Sequence, residues 1–224
     1  MAVSDSRAFW NKVARRYAAM NMRNPDAYKQ TLDCIRAHMS KADHVLELGC
    51  GTGTTAFKLA PYVRNYVASD YSSEMIDIAL ERQPPETREN LDFYVGELGE
   101  EDHPTGPFDM VLCFNFLHLL DDRPAMLKSI HKSLETGGLF VSKTPCVSGL
   151  FTLLRPVALI LHAFGKAPSF KFLPSKRLET EIETAGFEII ETARHPEGSL
   201  RHVIVAKSSI RQPFRSHPLT VRRT

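Results

Sequence analysis

The feature that most constrains the fold is the stretch 44–60, HVLELGCGTGTTAFKLA, where an apolar strand-like run leads through three alternating glycines into a helical pattern. Backbone this bare between a strand and a helix lets a ligand approach the main chain closely. The stretch therefore predicts a strand over 44–50, a ligand-binding turn and a helix over 53–60.

Strand-like and helix-like segments alternate along the rest of the chain. After two N-terminal helices, strands are predicted over 65–71, 91–97, 108–116, 138–145, 187–194 and 199–207, and helices over 73–82, 123–135 and 175–185. Strands separated by helix-sized segments favour right-handed crossovers and a parallel sheet, whereas the short connection at 195–198 favours a hairpin. We expect an α/β, Rossmann-like, doubly wound and mostly parallel seven-stranded sheet that ends in an antiparallel C-terminal hairpin.

Length and composition favour one globular domain, over 1–208, with a helical cap inserted at about 147–173 and a basic tail at 209–224. The chain has 224 residues, of which 43% are hydrophobic, and a formal net charge of +2, so nothing global demands nucleic acid. Arg155 and Pro156 interrupt the apolar run after the fifth strand, which disfavours a membrane span and favours a substrate cap or a surface-lying amphipathic segment. The tail is predicted to be solvated, with contact to anionic lipid, RNA or a partner chain as the alternative.

Three residues around the glycine turn indicate which nucleotide it binds. Dinucleotide enzymes need a small residue where this chain has Thr54. Glu47, beside the turn, would repel a pyrophosphate but suits an ammonium group. Asp70 ends the next strand about 20 residues on, where a carboxylate accepts hydrogen bonds from ribose hydroxyls. The site is therefore predicted to bind an adenosine-type ribose with a cationic, phosphate-free tail.

With these residues in place, the chain resembles the class I S-adenosylmethionine-dependent methyltransferases, whose acidic residue and GxGxG signature stand here as ELGCGTG, followed by ASDYS. The resemblance implies S-adenosyl-L-methionine as cofactor and places Asn115 and Phe116 beside its methionine part. It also implies that Glu97 and the backbone of Leu98 meet the adenine, although a solvated loop acid is the alternative for Glu97. The candidate cofactor-binding residues are Tyr17, Glu47, Gly49, Cys50, Gly51, Gly53, Asp70, Tyr71, Glu97, Leu98, Asn115 and Phe116.

The acceptor side is less defined. His118 follows the fourth strand and is the candidate general base, with packing on the next helix as the alternative reading. Tyr17 is expected either to close over the cofactor or to lie on the apolar face of its helix. Widely spaced cysteines and histidines favour a reducing cytoplasm and no metal.

The predicted function is methyl transfer to a small-molecule or lipid-like acceptor. An NAD(P)-dependent oxidoreductase and a non-catalytic S-adenosylmethionine-binding protein are the alternatives. Nucleic acid is not favoured as a partner, and peripheral membrane contact and the choice between monomer and homodimer are left open.

Overall fold

The computed structural model describes residues 3–22, 24–100, 103–104, 106–146 and 173–209. Its helices are α1 (Val3–Ala18), α2 (Pro25–Arg36), α3 (Thr54–Leu59), α4 (Ser73–Arg82), α5 (Arg123–Ser133) and α6 (Ser175–Thr184). Its strands are β1 (His44–Leu48), β2 (Asn65–Asp70), β3 (Leu91–Val95), β4 (Phe108–Phe114), β5 (Leu134–Pro145), β6 (Phe187–Arg194) and β7 (Arg201–Ser208). Apart from Leu173 and Ser209, the predicted cap and tail lie outside the described residues.

The strands form a seven-stranded sheet in the order β3-β2-β1-β4-β5-β7-β6. Neighbouring strands from β3 to β5 pair in parallel, and β7 pairs antiparallel with both β5 and β6. This confirms the predicted fold class. The strand order changes direction between β1 and β4, and open α/β sheets bind ligands at the carboxyl ends of the strands that flank such a point.

Several element boundaries differ from the prediction. The predicted strands 44–50 and 108–116 end two residues early, because Gly49 and Asn115 leave the extended region with φ of 70° and 52°. The predicted helix 123–135 was wrong at its end: α5 stops at Ser133, and Leu134 already pairs with Phe108 in the sheet. Leu134 is buried there, so its contact with the sheet overrides the helical pattern.

Helices cover both faces of the sheet, as the doubly wound prediction requires. On one face, α5 and α6 contribute Leu127, Ile130, Leu178 and Ile182 to a buried cluster with β1, β4 and β5. On the other face, α2 and α3 contribute Leu32, Ile35, Ala56 and Leu59. Burying a side chain such as Leu or Ile stabilises the fold by about 1.5–3 kcal/mol, so both layers contribute to the stability of the sheet that carries the site.

Helix α1 is attached to α4 rather than to the sheet. Ala14 packs against Met75 and Ile78, and the Arg15 guanidinium donates to both carboxylate oxygens of Glu81 at 2.6 and 2.8 Å. This attachment fixes α1 beside the carboxyl ends of the strands. None of the helices in the described ranges combines the length and the apolarity that crossing a bilayer requires.

Candidate functional site

The turn between β1 and α3 presents main chain to the space above the sheet edge. The amide nitrogens of Gly49 and Cys50 both donate to the carbonyl oxygen of Ser69, at 2.8 and 3.0 Å, so the neighbouring strand anchors the turn. The nearest atom to a Cβ built on Gly51 would be 3.9 Å away, whereas a Cβ on Gly49 would lie 2.6 Å from Cδ2 of Phe116. Gly51 therefore offers open backbone to a ligand, while Gly49 allows Phe116 to pack against the turn.

Gly53, unlike Gly49 and Gly51, does not line the cleft. A Cβ on Gly53 would lie 2.8 Å from Cζ of Phe57 and 2.9 Å from Cζ of Phe93. Gly53 lines neither of the cavities described below. The structure thus gives the third glycine a role in packing α3 close to the sheet.

Asp70, at the end of β2, ties the glycine turn to the following helix. One carboxylate oxygen accepts from the amide nitrogen of Gly51 and the other from that of Ser72, each at 2.9 Å. Burial raises the pKa of Asp70, and these two hydrogen bonds to the ionised form oppose that rise. The side chain therefore lies fixed at the wall of the site, with further acceptor positions on its oxygens.

Glu47 is a buried acid that forms no ion pair among the described residues. Its side chain is 2% exposed and accepts a hydrogen bond of 2.8 Å from the hydroxyl of Tyr66. Burial raises the pKa of Glu47 to about 8; the Tyr66 hydrogen bond opposes this rise, and the nearby charge of Asp70 adds to it. An acid in such surroundings gains most from a cationic ligand.

Two adjoining cavities open above these residues, with volumes of about 300 and about 640 Å³. Asp70 lines the smaller cavity and Glu47 the larger one. Residues that line both are Tyr17, Gly49, Gly51, Phe114, Asn115 and Arg201. The shared lining makes them two parts of one cleft at the point where the strand order changes direction.

The end of β4 and the segment that follows it contribute lining residues to both cavities. Asn115 has a positive φ, and its amide nitrogen donates to the carbonyl oxygen of Lys143 at 2.8 Å. His118 lies in a short 3₁₀ turn, is buried and lines the smaller cavity. Burial, followed by the charge of Arg123, lowers the pKa of His118 to about 4. The imidazole is therefore neutral near pH 7 and only weakly basic.

The candidate residues that follow β2 and β3 lie only partly in the cleft. Tyr71 lines the smaller cavity, and burial with the charges of Asp70 and Glu97 raises its pKa. Glu97 and Leu98 line neither cavity; Glu97 is half-buried next to Tyr71, and Leu98 packs against the hydrophobic core. Of the candidate cofactor-binding residues, Gly53, Glu97 and Leu98 are thus the three that the described cleft does not include.

Aromatic residues of α1 close one side of the cleft. The rings of Trp10 and Tyr17 meet edge to face with centroids 6.0 Å apart. Tyr17 lines both cavities, and Trp10 lines the smaller one. These side chains lie where they can cover a bound ligand.

The cations of the cleft, among them Lys143 on β5 and Arg201 at the start of β7, were not predicted from the sequence. Lys143 is 7% exposed, and its ammonium donates to Oγ1 of Thr31 at 2.8 Å. Burial, followed by the charge of Arg201, lowers the pKa of Lys143 to about 8. A lysine inside the buried strand LFVSKTP was the available signal. Within the described ranges, no group of three or more His, Cys, Asp or Glu side chains is placed to hold a metal ion.

A family model described as a methyltransferase domain matches residues 46–140, the span from the glycine turn to β5. This match supports class I S-adenosylmethionine-dependent methyltransferase as the family of this chain.

Known proteins resemble this methyltransferase over different parts of its length. It is 42% identical over 73 residues to magnesium-protoporphyrin O-methyltransferase of Rhodobacter capsulatus, a match that covers 33% of this chain and 32% of that protein. It is 29% identical over 186 residues to uncharacterized methyltransferase C70.08c of Schizosaccharomyces pombe, covering 75% of this chain and 69% of that protein. The solved structure of magnesium protoporphyrin IX methyltransferase from Synechocystis PCC 6803 with bound SAH has the same fold, with a TM-score of 0.67 and 17% identity over 92% of this chain and 99% of that one.

The cofactor of the methyltransferase is S-adenosylmethionine, and the cleft fits it in three respects. Gly51 leaves the space that a side chain would fill. Asp70 keeps acceptor positions beside the smaller cavity. Glu47 provides a buried carboxylate beside the larger cavity, and this carboxylate forms no ion pair with any described residue.

Proposed function

We propose that this methyltransferase transfers the methyl group of S-adenosylmethionine to a small-molecule or lipid-like acceptor that binds in the cleft beside Asn115. The observation that carries the proposal is the convergence of Asp70, Glu47 and the open backbone of Gly51 on two joined cavities. The Rhodobacter capsulatus relative is named as an O-methyltransferase of magnesium-protoporphyrin, which supports a small-molecule acceptor with substantial apolar area.

In this proposal the chain holds the cofactor through charge and hydrogen bonds. Asp70 uses two of about four acceptor positions on backbone amides, so the remaining ones accept from the ribose hydroxyls. Glu47 pairs with the ammonium group of the methionine part, which lowers the pKa of the carboxyl. Tyr71 adjoins the adenine, together with Glu97 and the backbone of Leu98, to which the family resemblance assigns this role. Tyr17 closes the cleft from α1.

The sulfonium of the bound cofactor supplies an electrophilic methyl group. The chain contributes orientation and the exclusion of water, which can account for much of the acceleration of such a transfer. His118 is assigned to a secondary role, because a base with a pKa of about 4 has little driving force to remove an acceptor proton at pH 7. Asn115 is assigned to positioning the acceptor or the methionine part through its side chain.

Calorimetric titration with S-adenosylmethionine and with NADH, followed by a methyl-transfer screen, tests the proposal. We expect S-adenosylmethionine to bind, NADH not to bind, and methylated product to appear by mass spectrometry with an apolar acceptor. Asp70→Ala is the matched control, since it removes the ribose acceptor. Binding of NADH alone would refute the proposal in favour of an oxidoreductase, and cofactor binding without transfer across a broad acceptor panel would favour a non-catalytic binding protein.

A further inference from the structure

The larger cavity contains an ammonium group that the cofactor scheme above does not use. Lys143 lies in β5, one strand beyond β4, and is 7% exposed. An ammonium has three N–H donors, of which one goes to Oγ1 of Thr31. The Thr31 hydroxyl in turn donates to the carbonyl oxygen of Ala27 at 2.9 Å, so its lone pairs are directed to Lys143. The lysine is thus held in one place with donors to spare.

A second cation lies on the same face of the sheet. Lys143 pairs with Val203 and Pro145 pairs with Arg201 in the antiparallel ladder between β5 and β7. Opposite residues of such a ladder share a face, so Lys143 and Arg201 are diagonal neighbours, about 7–8 Å apart at their backbones. Arg201 is exposed and lines both cavities. The positive charge of Arg201 adds to burial in lowering the pKa of Lys143, so the two cations repel each other and would be stabilised by an anion between them.

Neither cation forms an ion pair with a carboxylate among the described residues. The described lining of the larger cavity contains Arg82, Lys143 and Arg201 as cations and Glu47 as an acid. Glu47 is hydrogen-bonded to Tyr66 and is assigned to the cofactor. The sequence contains no Asp or Glu between Lys143 and Ser175, and none after Glu197. The segments that follow β5 and β7 therefore bring no counter-ion of their own.

We propose that Lys143 and Arg201 bind an anionic group of the methyl acceptor, a carboxylate or a phosphate, and so select acidic acceptors. The inference rests on the proposed function and names the substrate class for the same cleft. Asp70 on β2 and Lys143 on β5 are three strand spacings apart, about 14 Å. The cofactor spans β2, β1 and the loop after β4, which leaves β5 to the acceptor.

The test uses the full chain saturated with S-adenosylhomocysteine and three probes: benzoate, its neutral analogue benzamide, and inorganic phosphate. We expect benzoate to bind at least about tenfold more tightly than benzamide, since charge-assisted hydrogen bonds discriminate by this much or more. Lys143→Met and Arg201→Met should each weaken benzoate binding by about fivefold or more. Phosphate should compete with benzoate. Lys128→Met, the same change at an exposed position of α5, is the matched control and should leave binding unchanged.

S-Adenosylhomocysteine affinity, measured in every variant, separates the possible sources of the anion. If Lys143→Met weakens S-adenosylhomocysteine as strongly as it weakens benzoate, the lysine binds the cofactor's own carboxylate and the inference is overturned. Equal binding of benzoate and benzamide to the wild type also overturns it. If Lys143→Met does not fold, the exposed Arg201→Met carries the same comparison. Failure of S-adenosylhomocysteine to bind the wild type would instead contradict the proposed function.

Discussion

Replacing Glu47 with glutamine tests whether this buried carboxyl binds the cationic group of a ligand. Burial raises the pKa of Glu47 from 4.5 to about 8. At pH values between these two, the carboxyl is therefore protonated in the native, ligand-free protein but ionised in the unfolded chain. The stabilisation from this group is therefore fully present below about pH 4.5 and is lost as the pH rises toward about 8.

The expected change in unfolding free energy follows from the difference between the two pKa values of Glu47, 4.5 in the unfolded chain and about 8 in the native protein. One pKa unit corresponds to about 1.4 kcal/mol, so up to about 5 kcal/mol of unfolding free energy depends on Glu47 across the window. Glu47→Gln keeps the shape and an oxygen that accepts from Tyr66, but it cannot titrate. The difference between the unfolding free energies of wild type and Glu47→Gln, measured in urea from pH 5 to 8, isolates this group. Glu89→Gln, at an exposed position, is the control.

Cofactor binding should reverse the protonation of Glu47. An ammonium beside the carboxyl favours its charged form, so binding to the wild type at pH 7 should release most of one proton from this group. Titration calorimetry in two buffers with different ionisation enthalpies measures the release. Equal proton release by wild type and Glu47→Gln, or wild-type stability that rises relative to Glu47→Gln between pH 5 and 8, would refute the reasoning.

Three further perturbations test other parts of the site. Asp70→Ala should weaken S-adenosylmethionine by about 1–3 kcal/mol in calorimetry because the ribose loses a charged acceptor, and unchanged affinity in a folded variant would contradict the ribose assignment. Gly51→Ala should fold, with about 1–2 kcal/mol of strain from its φ of 55°, but should lose cofactor binding. Gly49→Ala should have a lower melting temperature than Gly51→Ala, because the added Cβ meets Phe116. The reverse order of melting temperatures would show that the turn is misassigned. A Gly/Ser linker in place of 150–164 should keep cofactor affinity and abolish methyl transfer, and full activity on a small polar acceptor would reject the predicted cap.

Local pattern was sufficient to predict the order of elements and the kind of nucleotide. Apolar strand-like runs and helical spacings marked the segments that became β1 to β7 and the helices between them. The acidic residues Glu47 and Asp70 were recognisable because their position relative to the glycines reflects a turn whose geometry is local. The three glycines looked equivalent in sequence, however, and the structure separates them: Gly51 is open to the cleft, and Gly53 packs against Phe57 and Phe93.

The sequence by itself determined the fold class, the cofactor and the two carboxylates proposed to face it, because these depend on short-range spacing. Only the tertiary structure decided which residues share the cleft with them. Lys143 and Arg201 are 58 positions apart and meet only because β7 pairs antiparallel with β5. Burial, likewise, raises the pKa of Glu47 and lowers that of His118, and it results from helices packed on both faces of the sheet. Contacts and desolvation of this kind are properties of the packed chain, so no local pattern could reveal them.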